Sequence, residues 1–392
     1  MHTRKLQRNA MKAAAVICAA AVFISAPAFP ALAQEVGPGV TPITGSGQTG
    51  PGVTGGVPVI QDNPSNYYHQ PMASPVVEPE DKYSYEQMTA DIQELERLYG
   101  SHMSVNVIGT SADGKNIYDI VVGSPKASHN LMIQAGIHGR EYITVSVLMK
   151  QLEQMLAGFD SGTYNGRRLS SILSDTAIHF LPMTNPDGIA VSQLGESGLS
   201  SQDLKDTLKE AYAADTADGR TSLPYESYLI LWKNNGRGVD LNHNFAKEWD
   251  SLNGAMNHIS FADYKGTAPL SEPEAAALAR LTEQVNFDAC INYHAMGEVI
   301  YWDTADNLAS EASLQLAQSV SGITGYQILG SLGRGGLKDW LQARKPNPVP
   351  GITVEMGKTS CPVNFAEFDS IMSQTQAIPA AAAYLVATWK FK

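Results

Sequence analysis

From residue 83 to the C-terminus, short apolar runs of β character alternate with stretches whose apolar residues recur at helical spacing, and no other feature constrains the fold as tightly. The β-type runs fall at residues 118–122, 131–137, 177–183, 287–292, 299–302 and 352–356. Helical spacing marks residues 88–99, a stretch carrying Val145, Leu148, Leu152 and Leu156, and a polar insertion at 204–214. A further helix runs through Leu278 and Leu281 behind a capping box of Ser271 and Glu274. Strands separated by helices predict one α/β domain over residues 81–392, a mixed, mostly parallel twisted sheet covered by helices on both faces. At 43% hydrophobic over 392 residues the chain can bury such a core. No repeat at a solenoid period competes with this reading.

The first eighty residues follow a different pattern. Arg4, Lys5, Arg8 and Lys12 precede an apolar stretch at 13–24, then Pro27, Pro30 and the small residues Ala31 and Ala33. That order predicts a secretory signal peptide over residues 1–33, with an apolar part too short to span a bilayer stably and a cleavage point before Gln34. The mature protein is then expected outside the cell, free or wall-associated. Residues 34–80 include GVTPITGSGQTGPGVTGGVPV and hold too little apolar surface to offset backbone ordering, so they are expected to form a Gly/Pro/Thr-rich linker or arm. Losing the signal removes four of 27 basic side chains and no acid, which leaves 23 against 39 and a formal charge of -16. Such a surface argues against nucleic acid as a partner. No other segment is apolar enough to span a membrane, and Cys290 and Cys361 could form one disulfide in an exported protein.

Candidate chemistry sits where the β-type runs end. His138 and Glu141, in AGIHGREYI, follow an apolar run and precede a helix, so both side chains would emerge at the carboxyl edge of the sheet, where open α/β sheets bind ligands. Alone the pair means little, because nine histidines give about half an HxxE by chance. His294, in CINYHAMGEVIYW, ends another β-type run and offers a third ligand.

The wider context resembles the zinc carboxypeptidase family, the carboxypeptidase A-like metallopeptidases. The resemblance covers residues 83–392 and rests on blocks in the family's order: IHGRE, then PMTNPDG at 182–188, GVDLNHNF at 238–245 and YKGTAPLSEPE at 264–274. The YHAMGE block around His294, GGLKDW at 335–340 and PGITVEMG at 350–357 complete it. The resemblance implies one zinc ion per chain, held by His138, Glu141 and His294. Two imidazoles and a carboxylate leave a fourth position open, as a catalytic site requires. Asp240 matches the family carboxylate that orients the first histidine. Glu355 matches the catalytic carboxylate, a general base toward water and then a proton donor to the leaving amine. The family's oxyanion-stabilising arginine falls on Lys233, with Arg237 a rival; a lysine supplies the charge without the bidentate fork.

Departures from the family pattern bear on the substrate. Carboxypeptidases carry Asn-Arg after GVDL to grip a free C-terminal carboxylate, whereas this chain has Asn242 and His243, and a protonated His could replace the arginine only in part. The family tyrosine before GG-x-x-DW has no secure counterpart, Tyr326 being the nearest. Lys338 stands where the residue before Asp-Trp faces the specificity pocket, and a cation there favours an anionic or zwitterionic substrate group; a solvated lysine at a helix start is the alternative. Within the family the chain looks most similar to bacterial γ-D-glutamyl-meso-diaminopimelate peptidases. The expected protein is a secreted, monomeric zinc peptidase acting on peptidoglycan stem peptides. The rivals are a general zinc carboxypeptidase releasing C-terminal residues and a catalytically silent peptide- or wall-binding module.

Overall fold

Apolar runs without polar interruption become strands buried on both faces. In this computed structural model, which describes residues 66–69, 72–252, 254–330 and 335–389, they form the centre of the domain. The expected signal peptide and the arm up to residue 65 lie outside the described residues. In chain order the strands are β1 (Tyr67–Tyr68), β2 (Met103–Thr110), β3 (Asn116–Val122), β4 (His129–Gln134), β5 (Thr163–Tyr164), β6 (Arg167–Arg168), β7 (Thr176–Leu181), β8 (Ala289–His294), β9 (Val299–Tyr301), β10 (Gln327–Leu329) and β11 (Gly351–Glu355).

Eight of them make one sheet in the order β10-β9-β11-β8-β4-β7-β3-β2. Four of its seven pairings are parallel, including the central run β11-β8-β4-β7. The other three are antiparallel. The strand period of two separates the faces. Leu131 and Ile133 of β4 and Ile178 and Phe180 of β7 join a large cluster with the helices Ile143–Ala157 and Ile378–Thr388. Met132 and Leu181 turn the other way, toward Leu278 and Leu281 of Pro273–Gln284 and Leu337 and Leu341 of Leu337–Ala343. The polar insertion becomes Gln202–Ala217 and Tyr225–Ile230, which build a separate apolar centre from Leu204, Leu208, Ala211, Tyr228 and Trp232. Among the described residues no helix is long and apolar enough to cross a membrane.

Three features depart from the sequence reading. β2 and β10 were not anticipated: both are edge strands, and half-exposed Val107 shows why β2 lacks a continuous apolar signal. The capping box at Ser271 does not form. Pro273–Gln284 starts after Glu272, the Ser271 hydroxyl donates to Glu272 Oε1 at 2.9 Å, and buried Glu274 accepts instead from the Ala112 amide and the Asn235 side chain. Tertiary donors outcompete the local cap. Finally, the domain begins before residue 81. β1 pairs with β5, Val77 is buried in the large cluster, and Glu153 accepts the Val76 and Val77 amides while Lys150 donates to the Val77 carbonyl.

Candidate active site

Parallel strands that end side by side present their last residues to the same space. His294 closes β8, Glu355 closes β11, and the register sets them opposite each other. β4 runs parallel on the other side of β8 and ends at Gln134; four residues later comes His138, followed by a short 3-10 turn that carries Glu141. All four side chains are buried.

His138 Nδ1 lies 2.7 Å from Glu141 Oε1, His294 Nδ1 lies 3.1 Å from Glu141 Oε2, and the two imidazole nitrogens face each other at 3.2 Å. The Ala295 amide donates to Glu141 Oε2 at 3.1 Å and fixes that carboxylate. Two imidazole nitrogens and a carboxylate aimed at one point, with their ligand atoms within 4.8 Å of one another, make a donor set that fits a tetrahedral zinc ion with one position left over. Behind His138, its Nε2 faces Asp240 Oδ1 at 3.3 Å, a charge contact that orients the ring.

The electrostatics follow from burial among charges. Burial pulls the His138 imidazole down, but the Glu141 and Asp240 carboxylates outweigh it and bring the group to about 9. Burial would raise Glu141, yet His138 and His294 hold it well below the carboxylate range. His294 is pulled down by burial. Glu355 is pushed up to about 8, first by burial and then by the Glu141 charge, with His138 and Lys233 opposing.

The structure sorts the candidate cations. Lys233 Nζ sits 2.7 Å from Asp240 Oδ2 and 3.1 Å from Asp263 Oδ1, and its charge reaches His138, His294 and Glu355. Its ammonium is kept protonated because those two carboxylates outweigh burial. Arg237 is half exposed and 3.9 Å from Glu272, so it belongs to the surface beside the Asn235 turn rather than to the cluster.

Asn242 accepts the Leu337 amide at 3.2 Å, and a Cβ on Gly336 would come within 2.4 Å of its Oδ1, so this side chain props the GG turn. His243 is buried, and burial pushes its pKa down despite Asp240. It is therefore neutral near pH 7 and is no substitute for a cationic clamp. The Lys338 ammonium is enclosed by the Asp303 carbonyl at 2.8 Å, Asp339 Oδ1 at 2.5 Å and Gln342 Oε1 at 3.3 Å. Neither a solvated lysine nor an unpaired pocket cation describes it. Tyr326 is a core residue donating to Gln374 at 3.1 Å, and Cys290 and Cys361 are free thiols.

Two residues beside the site were not singled out from the sequence. Arg140, inside IHGRE, has a buried Nε without a partner and a charge that reaches Lys233 and Cys361. Its place within the motif was the available signal. Asp263 had none, because an acid before Tyr264 is unremarkable until the fold brings it to Lys233.

A family model described as zinc carboxypeptidase matches residues 88–378. The chain is 32% identical over 314 residues to gamma-D-glutamyl-L-diamino acid endopeptidase 1 of Lysinibacillus sphaericus, covering 79% of this chain and 74% of that protein. Among solved structures, carboxypeptidase A from Helicoverpa armigera superposes with a TM-score of 0.60 at 17% identity, covering 82% of this chain and 78% of the other. Thrombin activatable fibrinolysis inhibitor does so with 0.59 at 20% identity, covering 80% and 76%. These two structural likenesses speak to the fold alone.

Proposed function

The chain belongs to the zinc carboxypeptidase family, and from that premise we propose that it is a secreted zinc peptidase that cleaves the γ-D-glutamyl to meso-diaminopimelate bond of peptidoglycan stem peptides. That it is a zinc metallopeptidase follows from family membership together with the buried His138, Glu141 and His294 group. The observation that carries the hydrolytic reading is the β11–β8 register, which puts a carboxyl of raised pKa beside three converging ligands.

Zinc, when bound by those residues, supplies a Lewis acid that acidifies water and polarises a carbonyl. Glu355 takes a proton from the attacking water at its carboxylate and hands it to the leaving nitrogen. Burial and the Glu141 charge raise this carboxyl above its ordinary value, which strengthens it as a proton acceptor. Lys233 directs a positive charge at the carbonyl oxygen as negative charge develops there. Asp240 holds the imidazole of His138 from behind, and Asn242 steadies the turn at Gly336.

For the substrate, the support is a missing clamp. A buried His243 where carboxypeptidases resembling this chain carry an arginine leaves that position without a permanent charge for a free C-terminal carboxylate, which disfavours general carboxypeptidase action. The similarity to a gamma-D-glutamyl-L-diamino acid endopeptidase points to the wall-peptide bond instead. With its ammonium already enclosed by Asp303, Asp339 and Gln342, Lys338 is not free to act as an ion-pairing anchor.

The test is to incubate the zinc-loaded protein with purified muropeptides and with a C-terminally free peptide, and to identify the fragments by mass. Release of a diaminopimelate-containing fragment supports the proposal. Release of single C-terminal residues from the ordinary peptide alone would replace it with the carboxypeptidase reading.

A further inference from the structure

We propose that Asp263 is a positioning residue for Lys233, and that the helical insertion aligns it through Asp215 and Arg220. The inference rests on the hydrolytic reading above, in which Lys233 meets the developing oxyanion.

Arginine presents a rigid, pre-organised fork, whereas lysine is a point charge on a flexible stem. A lysine in this role therefore needs its direction imposed from outside. The segment 261–263 imposes it at both ends of the residue. The Lys233 amide donates to the Phe261 carbonyl at 2.8 Å, while its ammonium lies 3.1 Å from Asp263 Oδ1 and 2.7 Å from Asp240 Oδ2. One N–H donates to Asp263 Oδ1 and the ammonium ion-pairs with Asp240, which leaves donor capacity for a substrate oxygen. Asp240, His243 and Asp263 bring ligand atoms close enough together to hold a cation, and that cation is the lysine's own ammonium.

Asp263 is itself held in an unusual conformation. Its φ is 68°, a left-handed backbone that non-glycine residues adopt uncommonly, and its carbonyl accepts the Met256 amide at 2.9 Å. Its other oxygen lies 3.5 Å from Arg220 Nη2. Arg220 Nε is 3.3 Å from Asp215 Oδ1, and its amide donates to the Asp215 carbonyl at 2.8 Å. Asp215 is fully buried on the insertion helix Gln202–Ala217 and accepts from the Tyr228 hydroxyl, the Ser260 hydroxyl and the Phe261 amide. A continuous chain of contacts thus runs from the insertion's apolar centre to the ammonium beside the zinc ligands.

The experiment compares Asp263→Asn, Asp263→Glu, Arg220→Met, Lys233→Met and the Lys233→Met/Asp263→Asn pair, each zinc-loaded and with zinc content measured. Asp263→Asn should lower kcat roughly 10- to 100-fold with KM within about twofold, as loss of an orienting partner does. Asp263→Glu should recover part of the loss, and Arg220→Met should cost less than Asp263→Asn. In the Lys233→Met background the Asn change should add nothing, whereas a merely structural Asp263 would cost the same there as in the wild type. Crystals of zinc-loaded Asp263→Asn should show the Lys233 ammonium displaced. Unchanged kcat with Lys233 in place, or an undiminished loss in the double variant, overturns the proposal. If the wild type cleaves only the C-terminally free peptide, the wall-peptide reading fails and the same comparison is made on that substrate. If it cleaves neither, the position of Lys233 in the crystals decides, displacement supporting the relay and an unmoved ammonium refuting it.

Discussion

Two groups of buried histidine and carboxylate share this sheet, and they differ in where the ring nitrogens point. On β3 and β7, His179 Nδ1 meets both oxygens of Asp119 at 3.0 Å, its Nε2 meets Asn130 Oδ1 at 3.4 Å, and its ring packs edge-on against Phe287. Every ring nitrogen there has a partner within the protein. At the carboxyl ends of β4 and β8, two imidazoles instead turn nitrogens toward each other at 3.2 Å across one carboxylate. The first arrangement is satisfied by hydrogen bonds within the protein, whereas the second is a donor set that fits a cation. Burial of a histidine beside an acid therefore does not mark a metal site; convergence of several donors on one point does.

Breaking the converging group should give the largest effect. His138→Ala or His294→Ala should lower zinc affinity and turnover together by roughly a thousandfold or more, measured by metal analysis and by muropeptide hydrolysis, while the circular dichroism spectrum stays that of a folded protein. Glu355→Gln should keep the zinc and still lower kcat by about 10²- to 10⁴-fold, which separates proton transfer from metal binding. The hydrogen-bonded group should behave in the opposite way. His179→Ala leaves Asp119 buried without its hydrogen-bond partner and should cost about 3 kcal/mol in denaturant unfolding, with zinc content and turnover per folded molecule unchanged. Loss of zinc in that variant would erase the distinction.

The smallest effect sharpens the comparison by showing burial with no cation at all. Glu274 is pushed up to about 7 by burial, with Asp187 and Glu272 adding to the rise. Its folded value lies above its unfolded value of 4.5, so the folded state keeps a proton that the unfolded state has released. The stability it contributes is complete below 4.5 and is lost as the pH rises through about 7. Thermal unfolding followed between those limits should show Glu274→Gln with a flatter pH profile than the wild type, and parallel profiles would refute the assignment.

The zinc ligands were legible because each lies on or just beyond a strand whose apolar run announces it, and because the family resemblance joined segments that spacing alone could not. Edge strands β2 and β10 were not legible, since a strand exposed on one side carries no continuous apolar run. The expected cap at Ser271 was legible and wrong, because a buried Glu274 found donors from Ala112 and Asn235 instead.

By itself, then, the sequence determined the alternating sheet architecture and, through the family resemblance, singled out His138, Glu141, His294 and Glu355 as candidates for one site. Periodicity is local, and short motifs keep their chemistry wherever the chain carries them. The tertiary structure alone decided the state of the cations and of His243. It enclosed Lys338 with Asp303 and Gln342, left Arg237 at the surface, buried His243 as a neutral ring, and aimed Lys233 with Asp263 thirty residues away. A charge takes its behaviour from neighbours that arrive only on folding, and no spacing along the chain encodes which neighbours those will be.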